Sequence, residues 1–264
     1  MVDPFISPRQ LFAWADHNFI NIKRRLKSFD EERPYTYIVE QDAETGEYIH
    51  KVRLLKSIPP EISLLTFDVV NALRASLDQS IFASGVVLLG REPNGTKFPF
   101  GADETEARKD AYRKRSEADP EIIDRVLSFQ PYNAGDRLLF NLNKLRNMKH
   151  HRIIAPVLVQ TGSIKVTGGT FVSDGPFAAM SMNNAVEWDA SKNELTLFRT
   201  GTPKSQYEIE IGVRISFTDR TAFPNSDALT VLHDLFHKVQ SVLVAIEEET
   251  VRLANARGIP ITFD

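Results

Sequence analysis

The hydrophobic period of this chain changes twice, and that constrains its fold more than any other feature. From Ser7 to about Leu145 apolar residues recur mostly at helical spacing. Between Ile153 and Thr218 they alternate at a period of about two, as in Glu194-Leu-Thr-Leu-Phe-Arg199 and Tyr207-Glu-Ile-Glu-Ile-Gly-Val-Arg-Ile-Ser-Phe217. Helical spacing then returns in a long segment ending near Ala256, closed by Gly258 and Pro260. A strand region enclosed by helices gives an α+β class: a bundle-like helical core packed with an antiparallel sheet of about five strands and a long C-terminal helix.

Smaller signals place the remaining elements. Ser7-Pro8 opens a helix expected to reach about Leu26. Tyr35 to Gln41 and Glu47 to Leu55 flank a turn at residues 42–46 and read as a β-hairpin, which needs a further partner because an isolated hairpin is marginal. Ile62, Leu65, Val69, Leu73, Leu77 and Ile81 make one stripe of a helix from Glu61 to about Ser84. The Gly90–Gly101 stretch is loop chemistry. A charged helix over Glu104 to about Ala118, another after Pro120, and a third capped by Asp136 follow, and Asn225 or Ser226 is expected to cap the last helix. One domain over residues 1–264 is the preferred organisation; the alternative is a mainly helical subdomain 1–155 and a sheet-plus-helix subdomain 156–264.

With 264 residues, no cysteine and a net charge of -3, the chain is large enough for a substantial core and has neither disulfides nor a cysteine nucleophile. The first residues lack a basic region followed by an apolar one, and the uninterrupted apolar runs are short. The expectation is therefore a cytoplasmic protein without a membrane span.

Against that acidic balance, Asn141-Leu-Asn-Lys-Leu-Arg-Asn-Met-Lys-His-His-Arg152 carries four cations and two histidines and no acid. Such a segment suits RNA or another anionic ligand. Cations at a helix C-terminus are also favoured by the helix dipole, by about 0.3–1 kcal/mol each, without any ligand. Two further basic runs, Lys23-Arg-Arg-Leu-Lys27 and Arg108 to Arg115, are candidates to join it in one face, although Asp110 interrupts the second.

Polar residues also line two helices. Asn71, Arg74 and Asp78 are spaced by three and four, as are Asn143, Asn147 and His150, so each set shares a helix face. If the two helices pack together, Asp78 is expected to hold a histidine of the Asn147–His151 segment while Arg74 and Asn147 complete a polar pocket. Lys149 and Arg152 extend the binding set. The competing reading is an internally satisfied network between helices. His233 and His237 stand four apart, a metal-compatible spacing, yet they adjoin the Leu229, Leu232 and Phe236 stripe and no Glu follows His233; no metal or cofactor is expected. No phosphate loop or nucleophile elbow is present in the sequence.

Taken in order, Asn71-Ala-Leu-Arg-Ala-Ser-Leu-Asp78, Phe98-Pro-Phe100, Gln130-Pro-Tyr132 and the Asn-Lys-Leu-Arg-Asn-Met-Lys-His stretch beginning at Asn143 resemble a family of uncharacterised bacterial proteins of similar length, which supplies no activity. Arg146, Asn147 and His151 also resemble the motif of the HEPN superfamily of helical ribonucleases, an arginine, a polar residue and a histidine a few positions on. That resemblance implies metal-independent RNA cleavage, with His151 as general acid/base, Arg146 stabilising phosphorane charge and a homodimer completing the site. The departure is architectural, since that superfamily is a compact helical bundle and this chain adds a hairpin and a sheet. Two functions stand: a polar helix-pair pocket for a ligand or partner, and an HEPN-like ribonuclease or toxin-like effector.

Overall fold

The computed structural model describes residues 3–113, 116–147 and 226–261, together with residues 160–161, 165–167, 188–189, 192–201, 208–210, 213–215, 217 and 222–223 between them. The fold is α+β. Its helices are α1 (Ile6–Glu31), α2 (Pro60–Leu89), α3 (Glu104–Ala111), α4 (Pro120–Leu127), α5 (Arg137–Asn147) and α6 (Ala228–Ala256). The strands are β1 (Tyr35–Gln41), β2 (Tyr48–Leu54), β3 (Gln160–Thr161), β4 (Lys165–Thr167), β5 (Trp188–Asp189), β6 (Glu194–Thr200), β7 (Glu208–Glu210) and β8 (Val213–Arg214).

Helix α2 is the central element. Pro60 starts it, where a missing N–H is harmless, and Gly90 ends it in the left-handed conformation at φ 66°. It packs against α1, α5 and α6. Its buried serines find acceptors within the helix: Ser76 Oγ donates to Leu73 O and Ser80 Oγ to Leu77 O. Thr250 of α6 donates to Ser84 Oγ at 2.9 Å, so small polar residues let α2 and α6 approach without an unpaired hydroxyl. By length and apolarity both helices could cross a membrane, but 67% of the most apolar window of α2 is buried against the rest of this fold. Of the stripe expected from sequence, Ile62, Val69, Leu73, Leu77 and Ile81 are within the main core together with residues of every other helix, and Leu65 packs half-buried against it.

The hairpin finds its partner. β1 and β2 pair antiparallel, and β2 pairs antiparallel with β6, with short β5 on the outer edge of β6. The expectation of one sheet of about five strands over residues 153–218 is corrected among the described residues: β5 and β6 join the hairpin, while β3–β8 and β4–β7 are two-stranded ladders. The β2–β6 seam holds His50, 1% exposed, stacked on Phe198 and with Nε2 2.8 Å from Thr200 Oγ1. Burial lowers the pKa of that imidazole, because its charged form loses hydration. Glu194, also buried, is held below the usual carboxylate range mainly by its hydrogen bond from Arg53.

Four helix boundaries differ from the sequence expectation. α2 runs five residues beyond Ser84 to Leu89, because Val87 and Leu88 still pack into the core and Gly90 supplies the left-handed stop. α1 runs five residues beyond Leu26 to Glu31, because Phe29 still reaches apolar neighbours. α6 is capped by Asp227, whose carboxylate accepts from Thr230 N, rather than by Asn225 or Ser226. α3 stops at Ala111, short of Ala118, because Glu117 is recruited elsewhere: its carboxylate takes two bonds from Arg91 and one from Asn94 N. This clamp fastens the loop leaving α2, which also lies so close that a Cβ at Gly85 would meet Pro93 Cγ at 2.6 Å.

The Arg91 bond brings the Glu117 pKa down to about 2 from an ordinary 4.5. A carboxyl depressed in the folded state stabilises it above the unfolded pKa, and that contribution is lost as pH falls from about 4.5 towards 2. Carbon-detected NMR titration of Glu117 is expected to show this low midpoint, and Arg91→Ala to raise it, while the Asn94 amide still holds it below the ordinary value.

Candidate functional site

The site grows from the face of α2 that carries Asn71, Arg74 and Asp78. Arg74 is 6% exposed and meets protein groups on every side. Its Nε donates to Asn143 Oδ1 of α5 at 3.2 Å, and its Nη2 to the Phe98 carbonyl at 3.4 Å. The Phe100 ring lies 4.6 Å from its Cζ. Nη1 stands 2.6 Å from Asp78 Oδ1 as an ion pair, but out of line for a hydrogen bond, so this contact is electrostatic rather than directional.

Asp78 completes a reciprocal arrangement. Its Oδ1 accepts from Phe98 N at 2.9 Å, while Arg74 donates to Phe98 O. Two side chains one helical turn apart thereby satisfy both backbone groups of Phe98, as a neighbouring strand would. The order matters: an acid N-terminal to its cation is the better arrangement within a helix, and here the cation comes first. The pair is arranged for the loop, not for the helix.

The surrounding loop is fixed at further points. Asp110 of α3 accepts from Phe100 N at 3.3 Å and pairs with Lys97. Gly101 forms a parallel bridge with Tyr132, Asn133 N donates to Gly101 O, and Ala134 N to Ala102 O. A Cβ at Gly101 would meet Ala107 N at 2.3 Å, so only glycine fits there. Gln130 takes a left-handed φ of 54°, and Asp136 N returns to Gln130 O at 2.8 Å. Asp136 then caps α5 through Leu139 N, as expected, and its other oxygen pairs with Lys238 of α6 at 2.8 Å. Asn141, 6% exposed, donates to Ala222 O and anchors α5 towards the start of α6.

Three of the four motifs, Asn71–Asp78, Phe98-Pro-Phe100 and the Asn143 row, therefore meet directly at Arg74, and Gln130-Pro-Tyr132 docks on the adjoining Gly101–Ala102 backbone. Arg74 bonds Asn143, the polar residue one turn earlier than Asn147. Arg146 and Asn147 are exposed at the end of α5, with Arg146 Nη1 3.3 Å from Asn147 Oδ1. Lys149, His150, His151 and Arg152 lie outside the described residues. The carboxylate of Asp78 is engaged by Arg74 and Phe98, and about a third of the side chain remains exposed.

Asp110 and Asn141 are two site-organising residues that the sequence reading did not single out. Asp110 registers only as the acid interrupting a basic run; that misplaced charge was the available signal. In that run Arg108 pairs with Asp124 and Glu104, and Arg113 with Asp110, so these cations are locally compensated. His233 and His237 are surface residues with Nε2 atoms 3.0 Å apart, and among the described residues no group of three or more metal-ligating side chains forms.

Compared with family models, curated proteins and solved structures, the chain matches none.

Arg74→Met keeps much of the side-chain length but removes the charge, two hydrogen bonds, the ion pair and the cation–π contact, leaving Asp78, Asn143 and the Phe98 carbonyl without the guanidinium. Urea unfolding is expected to show a loss of about 3 kcal/mol. A change below about 0.5 kcal/mol would mean that the network does not hold the loop.

Proposed function

We propose that this chain is a binding protein in which the polar α2–α5 pair organises a pocket or partner interface for an anionic ligand. The observation that carries the reading is the division of roles around Arg74. Arg74 is buried and committed to protein groups, whereas its partners Asp78 and Asn143 are only half-buried, as is Asn71 on the same face of α2. The cationic residues of the following sequence, Arg146, Lys149 and Arg152 with His150 and His151, supply the charge that an anion seeks.

Inorganic phosphate and a short unstructured RNA are suitable probes. Both are expected to shift the side-chain amide resonances of Asn143 and Asn147, and Lys149→Ala with Arg152→Ala to weaken the effect. No shift with RNA or with phosphate up to about 10 mM, where binding is worth less than about 3 kcal/mol, would overturn the reading.

One observation favours the ribonuclease reading: Arg146 and Asn147 stand side by side and exposed at the end of α5. An arginine there is accessible to a phosphodiester, and a histidine close in sequence is a candidate for moving the proton of the 2'-hydroxyl. The discriminating assay follows RNA cleavage in the presence of a chelator. The binding reading expects no turnover by either wild type or His151→Ala; cleavage by wild type that His151→Ala abolishes would replace it with the catalytic one.

A further inference from the structure

A second surface, separate from the Arg74 network, runs along α1. Trp14, His17, Asn21, Arg24 and Ser28 are spaced by three and four, so they form one stripe, with Arg25 at its edge. The core-facing residues of the same helix, Ala15, Asn18, Phe19, Ile22, Leu26 and Phe29, occupy the opposite side. Trp14 is 54% exposed, an unusual position for the largest apolar side chain, and its ring lies nearly parallel to that of His17, 17° between planes and 5.8 Å between centroids. Scattered exposed apolar residues are ordinary; an exposed indole stacked on an imidazole and followed by two arginines is a more specific combination.

About 15 Å further along the helix from Trp14, Arg24 and Arg25 border a groove of about 420 Å³ with Asn21, Ser28, Phe29, Glu32, Pro59 and Leu65. Both arginines are exposed, and among the described residues Arg24 has a single hydrogen bond, 3.2 Å to Asn21 Oδ1. The sole acid in the lining, Glu32, pairs with Lys56 at 2.6 Å. Lys23 and Lys27 flank the groove, the first over the Phe19 ring and the second 3.7 Å from Glu31. Among the described residues neither guanidinium has a carboxylate partner, so the groove offers uncompensated charge, in contrast to Arg108 of α3, Arg252 of α6 and Arg257 just after it, which are paired with carboxylates.

We infer that this face of α1 binds single-stranded nucleic acid, with a base stacked on Trp14 and the phosphates of the following nucleotides on Arg24 and Arg25. Stacking takes any base, because every base has a π-face, and phosphate contacts read charge, so the surface has little sequence preference. A duplex does not fit the combination, since its bases are already stacked on one another. The inference does not depend on the reading of the α2–α5 site.

The test uses fluorescein-labelled U15 and dT15 strands and a matched duplex, with the whole chain. Trp188→Phe leaves Trp14 as the only indole, so stacking reads out directly as quenching. Expected are anisotropy and Trp14 quenching that saturate together with either single strand, and weaker binding of the duplex. Arg24→Ala with Arg25→Ala should weaken binding at least about tenfold and flatten the log–log salt slope by about 1.4, two phosphate contacts' worth for a single strand. Trp14→Ala should cost about fivefold or more with the salt slope unchanged. These side chains are exposed, and unchanged circular dichroism melts confirm that the variants fold. Because Arg74→Met does not touch α1, binding that persists in that variant while the phosphate effect at Asn143 disappears separates the two surfaces. Absence of binding at about 50 µM, or binding indifferent to all three α1 substitutions, overturns the inference.

Discussion

The buried guanidinium of Arg74 is the constraint on which the α2–α5 side of this structure depends. A charge almost entirely withdrawn from water is tolerated only when its donors are matched and its field is opposed. Here the matching groups come from three separated pieces of chain: Asp78 on the same helix, Asn143 on α5, and the carbonyl of Phe98 with the Phe100 ring beneath. Burying the arginine thus forces α2, α5 and the 90–101 loop into one arrangement. Because Asp78 simultaneously takes the Phe98 amide, the loop is held through its backbone, largely independently of which side chains surround it.

Around that point the fold uses two kinds of support. Apolar packing brings α2 against α1, α5 and α6, and the hydroxyls along α2 are satisfied by its own carbonyls or by Thr250. Ionic clamps then fix elements too short to be stable alone. Arg252 of α6 and Arg257 at its C-cap reach Glu121 and Asp119 at the start of the eight-residue α4, while Arg91 reaches Glu117 behind α3. Exposed pairs of this sort each contribute little, about 0–1 kcal/mol, so their effect is to fix position. By the same accounting Arg24 and Arg25 of α1 differ from the clamping arginines: among the described residues they have no carboxylate partner, and both are exposed.

Much of this architecture is legible in the sequence because period and punctuation are local. The α2 stripe, the hairpin, the Asp136 cap and the long final helix follow from residue spacing and turn chemistry. What the sequence does not reveal is long-range pairing. That β6 would leave its own segment to join a hairpin some 140 residues earlier is decided by tertiary contact, as is the ending of α3, where Glu117 gains more from Arg91 and Asn94 than from another helical turn. The candidate site is intermediate. Spacing alone places Asn71, Arg74 and Asp78 on one face, and Asn143 on the facing helix, but nothing local indicates that Asp78 would reach for the amide of Phe98, or that Asp110 would hold Phe100.

Amide hydrogen exchange at Phe98 tests the central claim most directly. If the Arg74–Asp78 pair acts as a strand-like partner for this loop residue, the Phe98 amide exchanges as slowly as interior amides of α2 such as Leu77, and Asp78→Ala accelerates it by at least about a hundredfold while leaving Leu77 protected, equivalent to about 2.7 kcal/mol of local opening. Rapid exchange at Phe98 in the unmodified chain, or a rate that Asp78→Ala leaves unchanged, would contradict the account.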